Sequence, residues 1–261
     1  MKLRVLASGS RGNAALVWAG EQVLLLDAGL PVTAMSERIV GSRVGLRAID
    51  RVIVTHGHLD HSRTAGIVAK RHGATLHAPA EILGHRSICR APDRVALPVG
   101  VASDLGPADD PDSLKVTTAL VPHDCFPTVA LRLEQGGRAL GLLTDCGEPR
   151  EDVAAALGEV DVLMLEANHD VDLLRAGPYP QALKDRVLGP GGHLSNDQMA
   201  VMLRRLASPR LHTVVLVHLS ERNNRPELAE AAAREALEPL GRSDVRVICA
   251  EQDHALETLE V

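Results

Sequence analysis

The chain has 261 residues, and its 28 basic against 34 acidic side chains give a formal net charge of −6. With 45% hydrophobic residues it is long and apolar enough to bury a sizeable core, and it is not a disordered chain. The negative charge argues against whole-surface attraction to nucleic acid or to an anionic membrane, and three aromatic residues, Trp18, Phe126 and Tyr179, cannot build a base-stacking platform.

Strands are expected at Lys2–Ala7, Ala14–Ala19 and Gln22–Asp27, separated by turns such as Ser8-Gly9-Ser10-Arg11-Gly12-Asn13. A helix follows over Pro31–Val44, then a strand over Arg51–Thr55, a helix over Ser62–His72 and a short strand over Thr75–His77. Residues 103–113 read as a polar Pro/Gly loop that does not divide the chain, because strand patterning resumes beyond it. Further strands are expected at Lys115–Val121, Thr128–Glu134, Arg138–Thr144, Val160–Leu165, Thr213–Val217 and Val245–Ala250, with helices at Ser195–Leu206 and Pro226–Leu237. A second half similar to the first begins after about residue 113, which predicts two helix-flanked sheets in a single domain over residues 1–261.

The opening apolar run is too short for a signal-peptide core, and no stretch approaches the ~18 apolar residues of a membrane span. Cys89, Cys125, Cys146 and Cys249 show no CxxC spacing and are too sparse for a disulfide scaffold. The expected compartment is a reducing cytoplasm. Arginine outnumbers lysine 24 to 4. Arginine suits bidentate phosphate contacts, but compositional bias explains the ratio equally well.

The strongest local signal is Thr55-His56-Gly57-His58-Leu59-Asp60-His61, placed after an apolar strand and before a helix. Four potential ligands fall within six residues, and imidazole with carboxylate suits zinc, manganese or iron. A strand end followed by a loop can turn His56 and His58 towards one ion and Asp60 and His61 towards another. Further ligand types end apolar runs at Val121-Pro122-His123-Asp124, Leu142-Leu143-Thr144-Asp145-Cys146 and Val215-Leu216-Val217-His218. Each could be an ordinary strand-end polar residue, but together with HxHxDH they point to a metal site.

This pattern resembles the metallo-β-lactamase superfamily over nearly the whole chain. The resemblance implies an α/β fold, a four-layer αββα sandwich, with a two-metal site at one edge. It implies His56, His58 and His123 around one divalent ion, Asp60, His61 and His218 around a second, and Asp145 bridging them. A hydroxide held between the ions would be the nucleophile, with Asp60 among the catalytic residues. Asp27, in Leu26-Asp27-Ala28-Gly29, would orient the ligand loop through its own hydrogen bonds.

Five blocks give a narrower likeness: SGSRGNAALV (8–17), LEANHDVDLL (165–174), GPYPQALKDRV (177–187), GGHLSNDQMA (191–200) and HLSERNNRPELA (218–229). They resemble the YycJ/WalJ subfamily of bacterial metallo-β-lactamase-fold proteins. That likeness implies a metal-dependent nuclease of the 5′→3′ exodeoxyribonuclease kind, with DNA ends as its partner and no membrane. The chain departs from the pattern at Arg11, where serine is common, and at Cys125 and Cys146 beside the ligands. Both cysteines are read as small apolar residues packed next to the site.

Two features favour phosphoryl chemistry. Ser195-Asn196-Asp197-Gln198 fits a capping box, so a helix starts directly after Gly191-Gly192-His193, and its N-terminus is expected to attract an anion. The block is similar to one in tRNase Z-like enzymes, which implies His193 as phosphate ligand or general acid. His218-Leu219-Ser220-Glu221-Arg222 resembles the HxSxR motif of those nucleases and implies Arg222 near substrate phosphate. Ser8 and Asn13 bound a turn whose backbone amides could meet a phosphate. His169 is read as a supporting or substrate residue outside the metal set, or as part of a helix cap with Asp170.

A thioesterase of the glyoxalase II kind would share all seven ligands, but the GGHLSN and NN blocks favour the nuclease. Oxygen-reducing di-iron modules carry Glu where this chain has His58. A non-catalytic metal-binding protein is disfavoured by the intact ligand set. A β-lactamase is disfavoured by the missing export signal and the lack of a cysteine ligand. Asp145 and His218 lie only 73 positions apart, too few for the inserted domain of β-CASP nucleases. The sequence carries no signal for oligomeric state.

Overall fold

Along the strand Gln22–Leu26, Leu24 and Leu26 enter one hydrophobic cluster while Leu25 enters another. The same two-sided burial recurs at Val162–Glu166, where Val162 and Met164 face one way and Leu163 and Leu165 the other. Strands apolar on both faces demand cover on both, and this requirement builds a layered architecture. The computed structural model describes residues 1–42, 48–106 and 112–261.

The first sheet holds β1 (Lys2–Ala7), β2 (Ala14–Ala19), β3 (Gln22–Leu26), β4 (Arg51–Ile53), β5 (Thr75–Pro79) and β6 (Arg94–Leu97). The second holds β7 (Ala102–Asp104), β8 (Lys115–Val121), β9 (Thr128–Gln135), β10 (Arg138–Leu143), β11 (Val162–Glu166), β12 (Thr213–Val217) and β13 (Arg246–Cys249). The last strand, β14 (Leu259–Glu260), returns to pair with β1. The orders are β14-β1-β2-β3-β4-β5-β6 and β13-β12-β11-β10-β9-β8-β7. In the first, β1 to β3 are antiparallel and β3 to β6 parallel. In the second, β7 to β10 are antiparallel and β10 to β13 parallel. The expected repetition of one half by the other is therefore present, but the second sheet begins at Ala102 rather than after residue 113.

Leu3, Val5, Val17, Leu24 and Leu26 meet Leu131, Leu133, Leu140, Leu142, Val162 and Met164 between the sheets. On the outer face of the first sheet lie α1 (Val32–Gly41) and α3 (Ala65–His72), with the one-turn α2 (Leu59–Ser62) leading into α3. Against the second lie α4 (Glu151–Leu157), α7 (Asn196–Leu206) and α8 (Pro226–Leu237), with α5 (Val171–Ala176) and α6 (Gln181–Leu188) leading into α7. Helix, sheet, sheet and helix make four layers, as expected. Among the described residues no helix is long and apolar enough to cross a membrane.

Several boundaries differ from expectation for local reasons. The strand expected to reach Asp27 stops at Leu26, because Asp27 turns to φ +56°. The strand expected to reach Thr55 stops at Ile53, because the Thr55 amide donates to the Asp27 carboxylate instead of to a neighbouring strand. The single helix expected over Ser62–His72 is two, because the Thr64 amide and hydroxyl both donate to the Ala28 carbonyl. The first helix runs over Val32–Gly41, and its expected end at Val44 lies outside the described residues, as does 107–111 of the expected loop. Among the described residues, β6, β7, β14, α4 and α6 went unforeseen, whereas α5 is the helix expected after Asp170. Helix α6 buries no residue and so has no apolar stripe to read.

Candidate metal centre

The expected ligands collect where strands end. His56 follows β4, His123 follows β8, Asp145 follows β10 and His218 follows β12. His58, Asp60 and His61 come from the loop that opens α2. Nitrogen atoms of His56, His58 and His123 lie within 4.8 Å of one another, and so do ligand atoms of Asp60, His61 and His218. Asp145 stands between the trios. It groups with His56 from one and His61 from the other, and its Oδ2 is 3.0 Å from His61 Nε2 while Oδ1 is 3.7 Å from His123 Nε2.

Four of the five histidine rings, all but His58, are held by their Nδ1 atoms. His61 Nδ1 donates to Asp27 Oδ2 at 2.7 Å, and His123 Nδ1 donates to the Gly192 carbonyl at 3.0 Å. His218 Nδ1 donates to Glu166 Oε1 at 3.0 Å. His56 Nδ1 is 3.0 Å from the Thr55 hydroxyl, which is itself bound to Asp27. With Nδ1 engaged, Nε2 carries the free lone pair. The Nε2 atoms of His56 and His218 are buried with no hydrogen-bond partner among the described residues. Buried polar atoms are rarely left so, and two of them among converging histidines fit a cation.

The electrostatics point the same way. Burial and the neighbouring His61 hold His56 well below the ordinary histidine range, which keeps its lone pair free. Burial also lowers His61 and His218, but carboxylates outweigh it at both. Asp145 and Asp27 hold His61 well above its usual value, and Asp145, Asp60 and Glu166 raise His218 to about 10. For Asp145 burial works upward, yet His218 and His61 hold it well below the carboxylate range. Four carboxylates, Asp27, Asp60, Asp145 and Glu166, thus surround the histidines and favour positive charge at the centre.

Backbone strain is concentrated in the same place. Among the described residues four non-glycines have positive φ, and Asp27, Asp145 and His218 are three of them, at 55–58°. Such conformations persist where surrounding structure enforces them, and here the enforcement comes from the hydrogen bonds just described. Close approach also needs Gly29: a Cβ there would fall 1.6 Å from the Asp60 carbonyl oxygen.

Glu166 was not singled out from the sequence. It ends β11, is fully buried, and makes four hydrogen bonds. Its Oε1 accepts from His193 Nδ1 at 2.8 Å and from His218 Nδ1, while Oε2 accepts from the amides of Cys146 and Leu194 at 2.9 and 3.2 Å. Burial raises its pKa, but His193 and His218 outweigh that and bring it to about 2. The signal was a charged residue closing the apolar run Val162–Leu165. Asp124 was also missed; its Oδ1 lies 3.4 Å from both His58 Nε2 and His123 Nε2, and its other oxygen pairs with Arg186.

The expected substrate residues divide. His193 lines a cavity of about 170 Å³ beside the centre with Ser10, Tyr179, Arg186 and Asn223. The Ser8 hydroxyl accepts from the His218 amide at 2.7 Å and donates to Asn13, and Asn13 Nδ2 is 2.9 Å from His61 Nε2. Both side chains therefore brace the centre. Arg222 is exposed, has no hydrogen bond or ion pair among the described residues, and does not line that cavity. At the start of α7, where an anion was expected, most backbone amides are already engaged. Ser195 and Gln198 close a capping box, the Asn196 amide donates to the His169 carbonyl, and Glu166 already takes the Leu194 amide, so few donors remain. His169 is fully buried with neither ring nitrogen hydrogen-bonded among the described residues, and burial lowers it to about 4. Asp170, not His169, caps α5. Cys146 is buried, its thiol pushed up to about 12 by burial and by Glu166, and neither it nor Cys125 falls within a ligand group.

Comparison with known proteins agrees with this geometry. The family described as beta-lactamase superfamily domain matches residues 22–219. Exodeoxyribonuclease WalJ of Streptococcus pneumoniae (serotype 2, strain D39) is 30% identical over 87% of this chain and 85% of its own length. Exodeoxyribonuclease YycJ of Bacillus anthracis is 29% identical over 91% of this chain and 89% of its own. The crystal structure of Zn²⁺-bound PqqB from Methylobacterium extorquens superposes over the full length of both chains with a TM-score of 0.72 at 21% identity, a likeness of fold. The chain belongs to the beta-lactamase superfamily, alongside the WalJ and YycJ proteins that it matches over most of their length.

Proposed function

We propose that residues 1–261 act as one domain, a dinuclear metal-dependent phosphodiesterase that removes nucleotides from DNA ends in the 5′→3′ sense. The observation that carries this reading is the pair of trios, His56, His58, His123 and Asp60, His61, His218, on either side of Asp145, with the Nε2 atoms of His56 and His218 free of hydrogen bonds among the described residues. The substrate class is taken from the names of the relatives, both exodeoxyribonucleases.

His56, His58 and His123 would hold one ion, Asp60, His61 and His218 a second, and Asp145 both. Zinc, manganese and iron all suit this nitrogen and oxygen donor set. When bound, two divalent ions supply Lewis acidity, drawing charge from phosphoryl oxygens and making water nucleophilic near neutral pH. The chain's own residues supply position. Asp27 and Glu166 fix the His61 and His218 rings from behind, and Gly192 fixes His123. His193 has Nδ1 tied to the Glu166 carboxylate, so in its imidazolium form Nε2–H is the donor left to bind a phosphoryl oxygen or to pass its proton to the leaving oxygen, the ring then staying neutral with Nδ1–H on Glu166.

Metal analysis followed by digestion of 5′- and 3′-labelled DNA and RNA tests this reading, with a thioester assayed in parallel. The expected result is about two metal equivalents per chain and mononucleotide release from one DNA end. Thioester turnover without cleavage of any nucleic acid overturns it.

A further inference from the structure

Beside the metal centre lies a second cavity, of about 270 Å³, that the reaction does not use. It is lined by Leu59, Arg63, Ile67, Arg86, Ser87 and Arg90. Arg63, Arg86 and Arg90 are exposed, and none of their three guanidinium groups has a hydrogen bond or ion pair among the described residues. Elsewhere the arginines are commonly paired, as Arg11 is with Glu221 and Asp253, Arg186 with Asp124 and Arg210 with Asp161. Three unpaired guanidinium groups around one hollow are unexpected on a chain of net charge −6.

The hollow is joined rigidly to the centre. Leu59, on its rim, sits between His58 and Asp60 in the chain. Ser87, also lining it, donates through its hydroxyl to Ser62 at 2.8 Å, and the Ser62 hydroxyl donates to the Gly57 carbonyl at 3.1 Å, inside the ligand loop. The segment carrying Arg86 and Arg90 is pressed onto α3: the Gly66 amide donates to the Ser87 carbonyl, and a Cβ on Gly66 would fall 2.7 Å from that oxygen. Arg63 rests at the junction of α2 and α3.

We propose that Arg63, Arg86 and Arg90 form a track for the phosphate backbone of the DNA strand beyond the linkage being cleaved. This rests on the nuclease reading and adds the direction in which the strand leaves the centre, over Leu59. Guanidinium groups without internal partners keep all their donors for phosphate oxygens, and contacts to the backbone carry no sequence preference. A fixed cationic surface also explains how an acidic chain engages a polyanion locally.

The test compares wild type with R63Q/R86Q/R90Q and with R63K/R86K/R90K, all loaded with the same metal, by fluorescence anisotropy on a labelled 20-nucleotide single strand with cleavage-resistant phosphorothioate linkages at several salt concentrations. The track predicts at least about tenfold weaker binding for the glutamine variant and a salt slope shallower by about 2, three lost contacts at roughly 0.7 each. The lysine variant keeps most of the affinity, which separates charge from folding, as do unchanged metal content and melting temperature. Unchanged affinity and slope in the glutamine variant overturn the proposal. So does equal competition by polyglutamate, or preferential binding to phosphatidylglycerol vesicles. Binding is read independently of cleavage, so a wild type that binds DNA through the track without cutting it counts against the nuclease reading alone.

Discussion

Glu166 Oε1 lies 3.0 Å from His218 Nδ1, and the same oxygen lies 2.8 Å from His193 Nδ1. One buried carboxylate therefore orients a proposed metal ligand and the histidine lining the neighbouring cavity, coupling the two halves of the proposed chemistry. Its second oxygen is filled by two backbone amides. In Glu166→Gln either amide orientation turns an NH₂ towards two donors and removes the charge. Metal affinity is expected to fall 10- to 100-fold. Chelator competition on the purified variant measures this, and an unaltered dissociation constant would show that Glu166 does not support the centre.

Gly29→Ala tests the packing of the loops. The new methyl would stand 1.6 Å from the Asp60 carbonyl and 2.9 Å from the Asn13 amide nitrogen, both backbone atoms that cannot rotate away. The loss should exceed about 3 kcal/mol, the upper end of overpacking costs, because two loops must separate. Thermal melting of the two proteins side by side reads it directly.

His77 gives a pH prediction away from the metal site. Burial, aided by Arg51, lowers it from 6.5 to about 4, and Arg51 Nη1 is 3.1 Å from its Nε2. The folded value lies below the unfolded one, so the unfolded chain takes up the proton first. The contribution is present in full above pH 6.5 and is lost as pH falls towards 4, to the extent of roughly 3 kcal/mol. His77→Gln should flatten that part of the stability curve. Urea melts of both proteins between pH 4 and 7 that stay parallel would contradict it.

Much of this was legible in the sequence, for physical reasons. The proposed ligands follow apolar runs, and apolar runs become buried strands whose ends can gather side chains from distant parts of the chain. His56, His58, Asp60 and His61 could be read as a set because they sit within one loop, and His123, Asp145 and His218 because each closes such a run. Glu166 closes one too, but a lone glutamate after a strand looks like any solvated end, and its four bonds depend on tertiary placement. Arg222 failed to enter the cavity for the converse reason: motif position does not fix where an exposed side chain reaches. Arg186 lines that cavity instead, on α6, a helix with no buried face and so no periodic signal. The start of α7 was foreseen from its capping box, yet the same box consumes amides that an anion would need.

The most direct test is digestion of 5′-labelled DNA by metal-loaded wild type and by His58→Ala. His58 is half-buried at the mouth of the centre, with Nδ1 3.2 Å from His123 Nε2. Its removal strips one donor from a trio without emptying the core. The account predicts labelled mononucleotides from wild type and none above background from the variant, whose metal content falls by about one equivalent. Full activity in His58→Ala would contradict it.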